Sequence, residues 1–548
     1  MGTTAIVGGG ATGGGVLHHL VQEYLDRLQT DPEGTPDLTV DLFEARGQYG
    51  TGGPYNTEPP VFRLNQPAGK MSIDRHNPGA FTAWFNEWLH SRPLSEVAKA
   101  RSLYNQKAQG GLTESQIALN HPTEYILARR WRENDFLPRT FYGAYLRDEY
   151  AKTVALANAV NQDLGRQALR IVQHNALVRK LEPGTDHALA LEGQEGEYQR
   201  PFRIEADAAI IATGHLKNDF LAEHRDNPDY LDTPMTIAMV RERLSSLTDT
   251  GRPIVIVGTS QSMLDALAAI DAVGYQGKII AISSHAVEPW PYDPEKEAFP
   301  QTDYPLRDVT AASLMRIADE HGGNAAAAAA ALRTLIVKEM HSAEALRAGP
   351  GHVLATLRAQ KEELRTACSG CDGLYERFVS LIDEFSGNST FKERFDLYQK
   401  YKRDGRLEIR AGKINSAASG LPNGFDVKIT DAVTGKQETI EARKLINCAS
   451  MLRTPYFIDQ RTGQAHSPDP VAESALQNGL IAPDTVYKTL NPYGPYADGT
   501  VGIVGPAHGG AWGIPYTRDA FEEAAKAALK KALSEAKPVP ASAPVPEP

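Results

Sequence analysis

The chain opens on a short apolar run, residues 3–8, that ends in glycines and passes into a helical pattern through about Leu28. A polar loop, DPEGTPDL (31–38), leads to a second apolar strand, TVDLFEA (39–45). Strand, helix and strand in that order imply a parallel sheet covered by helices. Amphipathic periodicity predicts helices over 78–91 and 140–160, and apolar runs predict strands over 169–174, 188–192 and 206–214. A second strand–turn–helix–strand unit begins at Arg252, runs through IVIVGTSQSMLDALAAI (254–270) and continues to GKIIAISS (277–284). From about 307 to 402 the pattern is largely helical, including an alanine run for which Asn324 is a suitable N-cap. Strand signals return at 406–410, 425–429, 443–448 and 500–505, before an amphipathic helix from about Thr517 to Ala536. The last residues, KPVPASAPVPEP, have the proline-rich composition of an extended or disordered tail.

Length and composition narrow the class. A chain of 548 residues exceeds one ordinary domain, and 41% hydrophobic with 23% charged residues is globular rather than disordered. The net charge of −11 disfavours nucleic acid or an anionic membrane surface as partner. No apolar run is long enough to span a bilayer, and TTAIVGGG at the start is a strand and turn rather than a signal segment. A cytoplasmic location is the expectation. Three cysteines make no disulfide framework. Cys368 and Cys371 form a CxxC pair, yet no second pair completes a zinc site and Cys448 stands alone, so a structural role is expected and no metal.

The chemistry resides in the two turns. AIVGGGATGGG gives Gly8-x-Gly10-x-x-Gly13 between a strand and a helix. Gly8 permits the tight turn, Gly10 and Ala11 let a pyrophosphate approach the backbone, and Gly13 lets helix and strand pack closely. The helix N-terminus then offers free N–H groups to the phosphates. Glu44, at the end of the second strand, is the acid expected on the ribose hydroxyls. In the second turn Gly258 remains, Ser260 is small enough for backbone approach, Ser262 offers a hydroxyl to phosphate and Asp265 can face the domain interface. Met263 stands where a packing glycine is usual, which implies a looser helix–strand contact and suits a nucleotide that comes and goes.

Several longer stretches resemble one family. GTGGPYNTEPPVFRLNQPAGKMSIDRHNPGAFTAWF (50–85), FLPRTFYGAYLRDEY (136–150) and VGTSQSMLDA (257–266) occur in its order. DAAIIATGH (207–215) resembles the second passage of two-dinucleotide flavoproteins through the FAD domain, and TVGIVGPAHGGAWG (500–513) their last strand. On these motifs the chain resembles the FAD-NAD(P)-binding flavoproteins related to N-hydroxylating and class B-type flavin monooxygenases. The resemblance implies an α/β fold with two dinucleotide-binding Rossmann-like domains, one for FAD and one for NAD(P), and a helical insert. It divides the chain into a first FAD-domain part (1–245), an NAD(P) domain with the insert (250–402), a return to the FAD domain with the C-terminal helix (403–536) and the tail (537–548).

Carried over residue by residue, the resemblance implies that Gly8, Gly10, Gly13 and Glu44 hold the ADP half of FAD, with Tyr55 and Arg139 near the cofactor. The Val178 backbone would meet the adenine, and Ala212, Thr213, Gly214 and Gly505 would approach the flavin from the returning strands. Asn65, Gln66, Lys70, Met71 and Ser72 would lie by the isoalloxazine, where Lys70 could stabilise negative charge. Gly258, Ser260 and Ser262 would hold the nicotinamide nucleotide. The 2′-phosphate of NADPH is usually met by an arginine after the second strand, but this chain reads Ser283, Ser284, His285. NADPH is the implied reductant, with NADH as its rival.

Among flavoprotein reactions, the chain lacks the FxGxxxHxxxW pattern of Baeyer–Villiger enzymes, and its CxxC pair is far from either turn, unlike that of disulfide reductases. It matches the N-hydroxylase signature in Asp207, Ala212, Thr213 and Gly214, with Ile211 in place of the usual Leu and His215 in place of the usual Tyr; His215 is a candidate proton carrier, or a hydrogen-bonded structural histidine. The implied activity is insertion of one oxygen from O2 through a C4a-hydroperoxyflavin into the nitrogen of an amino acid or small amine. Arg63, Arg75, Arg453 and Arg518 are candidate carboxylate clamps for such a substrate. The alternatives are carbon hydroxylation of a heterocycle and a dehydrogenase or reductase without oxygenation; the oligomeric state is open.

Overall fold

The computed structural model describes residues 1–53, 55–56, 60–214, 219–233, 235–244, 251–293, 296, 302–321, 324–369, 371, 373–419, 424–449, 457–458, 465–467, 469–478, 480, 501–504 and 514–536. Its framework is two mostly separate sheets. The first is parallel throughout, in the order Val501–Ile503, Ala208–Ile211, Gly2–Val7, Leu38–Phe43, Leu169–His174. All six residues of Gly2–Val7 and of Leu38–Phe43 are buried, as a sheet covered on both faces requires. One face carries the helices Ala11–Thr30, Arg139–Leu164 and Ile514–Ser534, whose core includes Val16, Leu20, Tyr145, Phe521 and Leu529. The other carries a three-stranded antiparallel sheet (Ala176–Pro183, Leu189–Glu195, Arg200–Ala206) and the helix Pro470–Gln477, packed through Val178, Leu181, Leu191 and Val471.

The second sheet runs Tyr230–Asp232, Lys444–Asn447, Ile254–Val257, Ile279–Ser283, Leu407–Ala418, then Phe425–Asp431 and Gln437–Ala442. The first five strands are parallel, and the last two extend the sheet as an antiparallel meander. The expected boundary at 403 therefore gives way. Strands over 407–447 hydrogen-bond into the second sheet; the helix Pro470–Gln477 then packs on the face of the first, and among the described residues the next strand to join it is Val501–Ile503. The reason is a crossover: the helix Lys392–Arg403 packs against this sheet through Phe395, Tyr398 and Tyr401 and delivers Leu407 beside Ile279. The meander then carries the chain back to the far side of Ile254–Val257.

Between Ile279–Ser283 and Leu407–Ala418 lies the insert. Its helices Ala311–His321, Ala325–Met340, Pro350–Ala359 and Leu374–Ser386 enclose a core of their own around Leu332, Ile336, Leu357, Phe378 and Leu381. Asn324 caps the alanine-rich helix, accepting the Ala327 N–H at 3.0 Å. Cys368 and Cys371 are both buried in this core and form no disulfide among the described residues, and burial pushes the Cys368 thiol up to about 11. Among the described residues, no helix is long and apolar enough to cross a membrane.

Candidate functional site

The first glycine turn leaves strand Gly2–Val7 at Gly8, whose φ of +104° belongs to glycine alone. A Cβ there would sit 2.3 Å from the Ala212 carbonyl oxygen, and one on Gly13 would sit 1.8 Å from that of Gly8. Both glycines are thus required by packing as well as by the turn. Gly10 caps the helix Ala11–Thr30 with no side-chain cap bond, and no acid lies in its first turn, which favours an anion there. Glu44 closes the turn from the end of the second strand, its carboxylate accepting the Gly9 and Arg46 N–H groups at 3.1 Å each. Tyr49 flanks Gly9, and burial pushes its phenol up to about 12, so it stays neutral.

The returning strand brings Ala212–Gly214 to the same turn. The Ala212 N–H donates to Val7 O at 2.7 Å, Thr213 donates to Asp469 at 2.5 Å, and Gly214 has a φ of +81°. Asp207, which opens this segment, is buried and holds the strand start, accepting the Thr3 N–H at 2.8 Å and lying 2.7 Å from His187 Nδ1. Its role is therefore structural. Val504 donates to Ile211 O at 2.9 Å beside Ala212. His215 and Gly505 lie outside the described residues, as does Arg453. Val178 is buried in the antiparallel sheet, immediately before a β-bulge. These residues accept an adenine dinucleotide well: a Cβ-free turn, an uncapped helix N-terminus and an acid at the ribose position.

Loop 61–73 is held by backbone bonds to 133–139, among them Leu64 N–H to Leu137 O (2.9 Å) and Gly69 N–H to Glu133 O (2.7 Å). Asn65 and Lys70 are exposed, Gln66 is half-buried, and Met71 and Ser72 are buried. Ser72 Oγ lies 3.5 Å from the Tyr145 hydroxyl, and the neighbouring Ile73 carbonyl is 3.0 Å from His19 Nε2 on the first helix. Lys70 donates to the Tyr292 hydroxyl at 3.2 Å, so its ammonium meets the insert. The Tyr55 carbonyl lies where a Cβ on Gly143 would collide with it, at 2.0 Å.

The second turn repeats the first in register. Gly258 (φ +99°) donates to Ile282 O at 2.7 Å as Gly8 donates to Phe43 O at 2.9 Å. Ser260 caps the helix Gln261–Ala272 with its side chain uncommitted to the cap, and Ser262 is half-buried. Met263 is fully buried in the core of the second domain. Asp265 faces the junction, as expected, but its partners change the picture. It accepts from Arg139 at 2.8 Å and from Arg394 at 2.5 Å. Arg139 also donates to Arg63 O (2.9 Å) and Asn65 (3.3 Å), and Arg394 to Val61 O (3.1 Å). Arg139 thus ties the second turn's helix to loop 61–65. Nothing local marks Arg394 for this role in the sequence.

One position escaped the motifs, and a second was read only for lacking an arginine. Cys448 follows strand Lys444–Asn447, donates its N–H to Val257 O at 2.9 Å and lies against Gly258, at the switch point where a dinucleotide crosses such a sheet. Burial and the nearby Asp265 hold its thiol well above the ordinary range. Ser283 lies 2.8 Å from the Thr259 hydroxyl, over the turn. Of the clamp candidates, Arg63 is buried against Phe391 and pairs with Glu114 at 2.7 Å, and Arg75 pairs with Glu522 at 3.3 Å.

The FAD-NAD(P)-binding family model matches residues 5–216. No curated protein sequence matches the chain. Solved structures similar to it include an ornithine hydroxylase from Pseudomonas aeruginosa (12% identical, TM-score 0.44, covering 98% of this chain and 99% of that one). An ornithine N-hydroxylase from Kutzneria sp. 744 is 11% identical with a TM-score of 0.48, covering 97% and 99%. A cadaverine monooxygenase from Erwinia amylovora is 12% identical with a TM-score of 0.47, covering 97% and 93%. Residues 5–216, which carry the first glycine turn, the acid that closes it and the Ala212–Gly214 crossing, form an FAD-NAD(P)-binding domain.

Proposed function

We propose that the protein is an FAD-dependent monooxygenase that takes reducing equivalents from a nicotinamide dinucleotide and hydroxylates the nitrogen of an amino acid or small amine. The overall change is amine, O2, NAD(P)H and a proton to hydroxylamine, water and NAD(P)+. The observation that carries the reading is the N-hydroxylase-type segment Asp207–Gly214 lying against Gly8, inside a domain of the FAD-NAD(P)-binding family. FAD, when bound and reduced, supplies the oxygen chemistry. The chain's own residues bind and align. Glu44 and the amides beyond Gly10 hold the ADP half, and Gly258, Ser260 and Ser262 receive the nicotinamide nucleotide. On this reading Gln66 and Lys70 of loop 61–73 serve the reacting centre, where the Lys70 ammonium, now on the Tyr292 hydroxyl, would favour negative charge. Asp265 with Arg139 keeps the hydride donor's domain aligned with that loop, because proximity of the two rings decides the rate of hydride transfer.

Burial of Cys368 and Cys371 in the insert's core argues against a disulfide reductase, which needs its cysteines accessible to a cofactor. The test is a purified protein with a flavin spectrum whose NAD(P)H oxidation and O2 uptake accelerate together when amino acids or diamines are added. A protein that cannot be reconstituted with FAD would end this reading. Reduction of an electron acceptor without O2 uptake would move it to the dehydrogenase class.

A further inference from the structure

The two turns share a hydrogen-bond register, and they differ at one informative position. Gly8 bonds to Phe43 O and Gly258 to Ile282 O, so the residue that follows each carbonyl is equivalent: Glu44 in the first domain, Ser283 in the second. A carboxylate at this position accepts from a ribose 2′-hydroxyl and repels a 2′-phosphate. The Ser283 hydroxyl, held 2.8 Å from Thr259 Oγ1 and accepting the Ala286 N–H at 2.8 Å, carries no such charge.

The cation missing from positions 284–285 arrives from elsewhere. Arg333, on the insert helix Ala325–Met340, reaches back to donate to the His285 carbonyl at 2.9 Å. Its side chain lines a cavity of about 390 Å³ together with Ala411, which is the register partner of Ser283. The cavity's acids are already engaged: Glu408 and Glu438 both hold Arg410, and Asp431 accepts the Val433 and Thr434 N–H groups at 3.0 and 2.7 Å. Among the described residues, Arg333 has no carboxylate ion pair. Its nearest acid in electrostatic terms, Glu288, is taken by Lys402 at 2.6 Å and Tyr398 at 2.5 Å. Arg377 beside it shares the single carboxylate of Glu384, at 3.5 Å, with His285, at 2.9 Å. Burial lowers the Arg333 pKa, with the Glu288 carboxylate opposing it and the like charge of Arg377 adding to it.

We infer that Ser283 and Arg333 form the 2′-phosphate subsite of the second domain, with the helical insert supplying the selecting cation that the strand end lacks. The inference rests on the reading of this domain as the nicotinamide dinucleotide site. The test is calorimetric binding of NADP+ and NAD+ to the oxidised full-length holoenzyme, with no turnover. Wild type binds NADP+ at least 10-fold more tightly than NAD+. Arg333→Ala weakens NADP+ by about 10–100-fold, the worth of a charge-assisted contact, and leaves NAD+ unchanged. Arg333→Lys recovers part of the loss, and Ser283→Glu reverses the preference with Arg333 intact. Equal affinity of wild type for both dinucleotides, or equal weakening of both by Arg333→Ala, overturns the subsite alone. Failure of wild type to bind either dinucleotide ends the reading of the domain, and the subsite with it.

Discussion

Asp265→Asn is the substitution that most directly probes how the two turns are coupled. The aspartate is buried, with Arg394 on one oxygen at 2.5 Å and Arg139 on the other at 2.8 Å. Arg394 is itself buried, and Arg63 contributes a third guanidinium to the same neighbourhood. Asparagine keeps the shape but removes the carboxylate that offsets Arg394 and Arg139; Arg63 keeps its own partner, Glu114. Removing one partner of a buried ion pair costs about 3–5 kcal/mol, because the other charge stays in low dielectric without compensation. For a unit of roughly 150–250 residues, 1 kcal/mol moves the melting temperature by about 2–4 °C, so a fall of about 6–20 °C follows for the second domain. Two probes separate the domains: bound-flavin fluorescence reports the first, and loss of dinucleotide binding the second. The second transition falls, and the rate of anaerobic flavin reduction by NADPH drops with it, since the helix behind the second turn is no longer tied to loop 61–65. Arg139→Met in the Asp265→Asn background adds less than it does alone, as coupled partners require. A melting curve and reduction rate equal to wild type for Asp265→Asn would refute the coupling.

Three further outcomes follow from single sites. Gly13→Ala places a Cβ 1.8 Å from the Gly8 carbonyl oxygen and yields protein without flavin absorbance; retention of a full flavin spectrum would contradict the turn's geometry. His19 is buried and its pKa is lowered from 6.5 to about 4, chiefly by desolvation and then by His18. Its unfolded form therefore binds more protons between those values, so its contribution is complete above about pH 6.5 and is lost progressively down to about pH 4. The loss amounts to about 3 kcal/mol, and His19→Gln flattens the stability profile across that window in urea titrations. Cys368 and Cys371, buried in the insert, react with a thiol reagent only when the protein is unfolded, and fast labelling of both in the native holoenzyme would contradict their place in that core.

The strand–turn–helix units were legible because their signals are local. Apolar runs of four to six residues meet glycine at the turn, and the pattern changes period within a few positions. Long-range pairing was not legible. The short apolar strand Lys444–Asn447 carries nothing that says which sheet it joins; its neighbour, Ile254–Val257, lies far back in the chain. The helix Leu94–Gln109 was missed for a different reason: only Ala100 along it is buried, so it shows no apolar stripe. At the site, Gly8, Gly13 and Glu44 were readable from spacing. Arg394 and Arg333 were not, since both come from the insert and act on residues more than a hundred positions away or on a backbone carbonyl.

The most direct test of the account is product analysis under isotopically heavy O2. The holoenzyme is supplied with NADPH and the amine that most accelerates its oxidation, and the product is read by mass spectrometry. The account predicts a hydroxylamine carrying one heavy oxygen atom, formed in proportion to the NADPH consumed. Unlabelled product, or NADPH consumption that yields no hydroxylated amine from any amino acid or diamine tried, would contradict it.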